Sequence, residues 1–191
     1  MERRQFFTHL TGAGVALGAL ARPAPHAPAG AEVPKAPLPA ASLDDLDRAV
    51  RVVLSARRIG QPVFVRFTLH GPARSTTIIP RLARMVQLTA GWVGQSLARL
   101  HANGSLKGGQ VCLTVQFAGG ASALLSVARG PARGDGVDLM VLGNRGAVYQ
   151  ADAGLPWDGG ADLGKGRADP KLVRLIERAL RSGKPEGAEP K

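Results

Sequence analysis

Few residues in this chain have types and spacing that could do chemistry. Arg81, Arg84 and Gln87 recur at three-residue steps within TTIIPRLARMVQLTAGWVG, Thr76 to Gly94. On a helix that spacing puts them on one polar face. Whether that face does chemistry decides what the protein does. His70 and His101 could ligate a metal, but a third ligand would have to be Asp152 or Asp158. Two histidines at strand ends read instead as partly exposed side chains, so no metal is expected. A serine hydrolase needs a nucleophile elbow, and no G-x-S-x-G occurs. Gly159 to Gly166, GGADLGKG, has the G-x-x-x-x-G-K of a phosphate loop. Gly166 stands where Ser or Thr would hold magnesium, and no strong strand precedes it, so it reads as a mobile loop. Asp158 and Asp162 lack the spacing of a calcium loop. Gly12, Gly14 and Gly18 miss the dinucleotide fingerprint, and a Pro/Ala-rich tract follows instead of a helix and an acidic residue. No cofactor is expected.

The elements that must position these residues follow from periodicity. In the central helix Leu82, Met85, Val86, Thr89, Trp92 and Val93 share one face. Thr77 is its expected cap, Pro80 suits its first turn, and Gly91 and Gly94 end it. An earlier helix opens at Ser42, with Asp44, Asp45 and Asp47 in its first turn and Leu43, Leu46, Val50, Val53 and Leu54 as its apolar stripe. A last helix starts at Asp169-Pro170 and stops at Ser182-Gly183. Between them lie strands of period two: Val63 to Leu69, Leu97 to Ala102, Val111 to Phe117, Ala123 to Val127, Val137 to Val141 and Ala147 to Gln150. Asn103-Gly104 is an expected turn, and Gly119-Gly120 joins a hairpin. Strands in hairpin order with helices before and after predict an α+β fold. The expectation is an antiparallel or mixed sheet of five to six strands with helices packed on one face.

Composition narrows the function classes. The chain has 191 residues and a formal charge of +11, but aromatics are only 4%. The arginines are spread along the chain rather than run into a block, and there is no stacking platform for single strands. No nucleic acid is expected as a partner. Cys112 is the single cysteine, which excludes an internal disulfide and a cysteine metal cluster. In mid-strand it reads as a small apolar side chain rather than a nucleophile.

Residues 1–31 read as an address. Arg3-Arg4 is followed by Gln5, Phe6 and Phe7 and then by a mild stretch rich in Gly and Ala. This resembles a twin-arginine export signal, with cleavage after Ala29 or Ala31. The stretch is too short to anchor stably, so membrane contact is expected only during export, to the periplasm or cell envelope. Residues 32–41 continue as a Pro/Ala linker. The domain is expected over 42–183, with a disordered tail over 184–191. At about 150 residues, the mature chain would bury roughly 68–70% of its unfolded surface.

Four segments, in order over Arg57 to Glu186, carry a family likeness: ARRIGQPVFVRFTLHG, TVQFAGGASALLSVA, LMVLGNRGAVYQAD and LIERALRSGKPE. They resemble the C-terminal, substrate-side domain of the glucose-fructose oxidoreductase / inositol dehydrogenase (Gfo/Idh/MocA) family. The resemblance implies a helix with an Asp and a His four residues apart that move a proton at a sugar hydroxyl. Aligning Gly94 with the glycine that ends the family helix puts Pro80 at the Asp and Arg84 at the His, with Gln87 where a further Asp is common. A shift of three gives Thr77 and Arg81. Neither register supplies a base, because arginine stays protonated and proline has no side-chain proton chemistry.

Family members also begin with a nucleotide-binding Rossmann domain, for which this chain is expected to have no room. The resemblance therefore implies a non-catalytic, exported relative. It would bind a sugar or sugar acid, with Arg81 and Arg84 pairing a carboxylate beside Gln87, or act as an accessory module. In the second role its sheet face would meet another copy or a full-length oxidoreductase. The alternative is half of an NAD(P)-dependent oxidoreductase whose Rossmann domain comes from a partner chain.

Overall fold

The computed structural model describes residues 42–71, 75–129, 136–150 and 167–187. The export signal, the linker and the loop over 151–166 lie outside the described residues. Ten elements follow in order: α1 (Leu43–Ser55), β1 (Pro62–Gly71), α2 (Ser75–Val93), β2 (Leu97–Ser105), β3 (Gln110–Phe117), β4 (Ser122–Arg129), β5 (Gly136–Gly143), β6 (Gly146–Gln150), α3 (Pro170–Ser182) and β7 (Glu186–Gly187). The strands form one mixed sheet in the order β6-β5-β1-β4-β3-β2-β7. The fold is α+β as expected, with seven strands. The additional one is β7, placed by sequence in a disordered tail, whose Glu186 and Gly187 pair with Leu100 and Arg99.

Alternation decides which face of the sheet is core. Val65, Phe67 and Leu69 of β1 are buried, as are Val111, Leu113 and Val115 of β3, Ala123, Leu125 and Val127 of β4, and Val137, Leu139 and Val141 of β5. Register aligns them in rows, so that Phe67 stands between Leu125 and Leu139. The β1–β4 pairing is parallel and the remaining neighbours are antiparallel. The core rows lie on the side where α2 packs against β1, β3 and β4, α3 packs against β2, and α1 lies on α2.

Helix ends follow local chemistry. The Ser42 hydroxyl accepts from the Asp45 N–H at 3.2 Å and caps α1. Asp169 caps α3 by accepting from the Lys171 N–H, Pro170 opens it, and Gly183 closes it at φ 62°. In α2 the local signals lose to packing. Its helix begins at Ser75, so Pro80 is the sixth residue and lies inside it rather than in the first turn. Ile78 and Ile79 are buried, and that burial extends the helix past the expected Thr77 cap. Gly91 stays within the helix because Trp92 and Val93 beyond it are buried, and Gly94 at φ 70° ends it. Asn103-Gly104 is not a turn. Both pair along β2 with Cys112 and Val111, and the chain reverses after Ser105. Gly104, at φ +127°, leaves no room for a side chain, since a Cβ would sit 2.3 Å from the Gln110 carbonyl oxygen.

Two of the four motif segments meet in space. Gln61 N–H donates to the Asn144 side chain and the Asn144 N–H donates to the Gln61 carbonyl, both at 3.0 Å. The Arg145 N–H donates to the Ile59 carbonyl at 3.1 Å. Glycine is required at this crossing. A Cβ at Gly143 would lie 2.1 Å from the Ile59 carbonyl oxygen, and Gly60 sits at φ +73°. Gln61 also donates from Nε2 to the Val93 carbonyl at 3.0 Å, tying the start of β1 to the end of α2.

Candidate functional site

Arg81, Arg84 and Gln87 are half-buried on α2. Arg84 Nη2 donates to Asp44 Oδ1 of α1 at 3.0 Å, with side-chain exposures of 17% and 33%. The guanidinium is thus part of the α1–α2 contact. Its Nε is buried with no hydrogen-bond partner, and so is Gln87 Oε1 one turn on. One turn further, Trp92 Nε1 donates to Asp47 Oδ1 at 2.7 Å, and Arg51 Nε donates to the same carboxylate at 2.9 Å. Asp47 therefore joins both helices. The Trp92 ring packs on Phe67, with centroids 5.7 Å apart. On the expected polar face of α2, Arg84 is thus paired across to α1, while Gln87 Oε1 keeps no partner.

Other candidate residues lie apart. His70 is exposed at the end of β1, while the His101 Nε2 meets the Gly183 carbonyl at 3.2 Å and ties β2 to the end of α3. Cys112 is half-buried on the sheet face opposite the described helices and donates to the Ser126 hydroxyl at 3.2 Å, rather than lying in the core. Among the described residues no group of three or more His, Cys, Asp or Glu is gathered as metal ligands would be. None of the described helices is long and apolar enough to cross a membrane.

Sequence reasoning missed a second set of charges. Lys107 in the β2–β3 turn, Arg129 at the end of β4 and Glu177 on α3 line one cavity of about 660 Å3 with Ile79, Pro80 and Val173. The residues come from four elements, so no local spacing announces them. The weak signal available was that Arg129 ends a strand pattern with a charge.

No family model matches the chain, and no curated protein matches it either. Solved structures do. A myo-inositol dehydrogenase from Corynebacterium glutamicum superposes with a TM-score of 0.56 at 12% identity over 76% of this chain and 62% of its own. An apo scyllo-inositol dehydrogenase from Lactobacillus casei gives 0.56 at 14% identity over 76% and 60%. The fold is one found in inositol dehydrogenases. A third, the myo-inositol 2-dehydrogenase from Lactobacillus plantarum, gives 0.54 at 15% identity over 77% and 62%. The likeness anticipated from the four motif segments therefore holds at the level of fold. The match spans about three fifths of the length of these inositol dehydrogenases.

Proposed function

We propose that the chain is an exported, non-catalytic association module built on the inositol-dehydrogenase fold. It pairs the sheet face that no described helix covers with a like domain, either a second copy or a full-length oxidoreductase. The observation that carries this reading is the composition of that face. Its rows place Tyr149 beside Met140, Leu142 beside Phe64, and Arg66 between Met140 and Leu124. Leu124, Leu142 and Tyr149 are exposed at 39%, 38% and 69%, and no described helix covers them. Phe64, Met140, Leu142 and Tyr149 adjoin one another, and the exposed Arg66 of the Arg66–Asp138 ion pair stands between them and Leu124; such a mix of exposed apolar and polar side chains is typical of an interaction surface.

The absence of a base on α2 supports the non-catalytic part. Arg84 holds Asp44, and Pro80 has nothing to ionise. Sedimentation of the mature chain, alone and with an exported oxidoreductase of this fold, tests the reading. Self-association or a mixed complex is expected, and Leu142→Asp should dissociate it. A wild-type chain that stays monomeric in both would sink it. Saturable binding of NADH by the chain alone would instead favour the oxidoreductase half. Fusing residues 1–31 to a reporter tests export, with periplasmic signal expected only in cells holding a twin-arginine translocase.

A second reading keeps a sugar or sugar acid on Arg81, Arg84 and Gln87. It is favoured by the unpartnered Arg84 Nε and Gln87 Oε1, which a polar ligand would satisfy. Thermal stabilisation by a uronic acid, lost in Arg84→Ala, is the outcome it requires.

A further inference from the structure

Helices α1 and α3 treat their surface charges in opposite ways. On α1, Arg48 pairs with Asp45 three residues before it, and Arg51 with Asp47 four residues before it. On α3, Leu175, Ile176 and Ala179 are buried, and the side opposite them carries Lys171, Arg174, Arg178 and Arg181, all exposed. Steps of three, four and three keep these cations on one line along the helix, about 15 Å from end to end. Arg167 before the helix and Lys184 after it are exposed too.

This line works against the helix that carries it. Like charges three and four residues apart destabilise a helix, whereas the opposite charges of α1 stabilise one. Lys171 also stands in the first turn, where the helix dipole disfavours a cation, and no acidic residue of that turn offsets it. Glu177 is the only carboxylate within α3. It has Arg174 three residues before it and Arg181 four after it, yet among the described residues it forms an ion pair with neither. No large apolar side chain of α3 is exposed. A protein interface has an apolar core, which this ridge does not offer.

We propose that this ridge docks on a bilayer rich in anionic phospholipid, by peripheral electrostatic contact. Headgroup phosphates meet Lys171, Arg174, Arg178 and Arg181 through charge-assisted hydrogen bonds, and the anionic surface relieves the repulsion among them. A lipid surface suits a convex ridge without apolar anchors, because its anions are mobile and gather where the cations stand. The contact adds to the transient membrane passage expected during export. The choice of lipid over a nucleic acid rests on the proposed export. The ridge shares no residue with the proposed sheet-face association, so each can fail without the other.

The test is co-sedimentation of the full chain with vesicles of phosphatidylcholine alone or of equimolar phosphatidylcholine and phosphatidylglycerol. Binding should be tighter to the mixed vesicles and should weaken as salt is raised. Two double variants, each lacking two positive charges, locate the contact, and residues 1–31 are common to both. Lys171→Gln with Arg174→Gln, on the ridge, should weaken binding about 25-fold, since each cation near an anionic surface contributes roughly fivefold. Arg48→Gln with Arg51→Gln, on α1, should weaken it by less than about threefold, because Asp45 and Asp47 already offset those charges. The ridge variant should unfold at a urea midpoint no lower than that of wild type, because it removes like-charge neighbours. The proposal is overturned if the mixed vesicles bind no better than phosphatidylcholine, if the ridge variant binds as wild type or is destabilised, or if the α1 variant loses as much binding as the ridge variant. It is overturned too if duplex DNA binds more tightly per phosphate than the mixed vesicles, which would assign the ridge to a nucleic acid.

Discussion

The two flanks of α2 carry similar side chains in opposite states. Toward α1, Arg84 meets Asp44, and Asp47 receives both Trp92 Nε1 and Arg51. Beside α3, Lys107, Arg129 and Glu177 surround a cavity and hold no partner among the described residues. A half-buried charge that is paired fixes how two helices meet, whereas charges left around a cavity remain available to a ligand. Residue type alone does not separate these roles, and pairing does. Stability should therefore be sensitive on the first flank and nearly indifferent on the second.

The largest effect is expected at Trp92, where both parts of the first flank converge. The residue is 3% exposed, packs on Phe67 and holds Asp47. Trp92→Ala should cost about 3–5 kcal/mol in urea unfolding, the range for truncating a large core aromatic. Trp92→Phe keeps most of the ring contact and loses the hydrogen bond, so it should cost about 1–2 kcal/mol. A loss below about 1 kcal/mol for Trp92→Ala would show that α1 and α2 hold together without this bridge.

The next effect tests pairing directly. Asp44→Ala leaves the Arg84 guanidinium, 17% exposed, without this carboxylate partner. The expected cost is about 1–2 kcal/mol, below that of a fully buried pair because solvent reaches both groups. Arg84→Met keeps the apolar stem and removes the charge, so it should cost less than Asp44→Ala, and the double variant should recover part of the loss. Additive losses would mean that the two side chains do not act as a pair.

What the sequence made legible was what local physics controls. The alternation of Val65, Phe67 and Leu69 and of Val111, Leu113 and Val115 identifies core strands, because period two needs no knowledge of partners. The caps at Ser42, Asp169 and Gly183 satisfy groups only a few residues away. Signals with distant competitors were misleading. Pro80 reads as a first-turn residue until the burial of Ile78 and Ile79 extends α2, and Asn103-Gly104 reads as a turn until β3 pairs with it. The parallel β1–β4 contact and the pairing of β7 join segments far apart in sequence and leave no local trace. The same distinction holds for the site. Arg84 was legible as a polar-face arginine, but Asp44 lies 40 residues away. The cavity charges come from the β2–β3 turn, β4 and α3, which only the fold brings together.

The smallest effect is expected on the second flank, and its smallness is what gives it meaning. Lys107, Arg129 and Glu177 are exposed and have no partner to orphan among the described residues. Replacing any one by glutamine should shift stability by no more than about 0.5 kcal/mol. Glu177→Gln separates the two flanks most cleanly. Were Glu177 a structural counter-ion like Asp44, its loss would strand Lys107 or Arg129 and produce a cost comparable to Asp44→Ala. With the charges instead arranged around a cavity, neutralising Glu177 leaves the fold untouched. The expected result is an unchanged unfolding midpoint. A loss of stability near that of Asp44→Ala would place Glu177 among the paired residues and erase the contrast between the flanks.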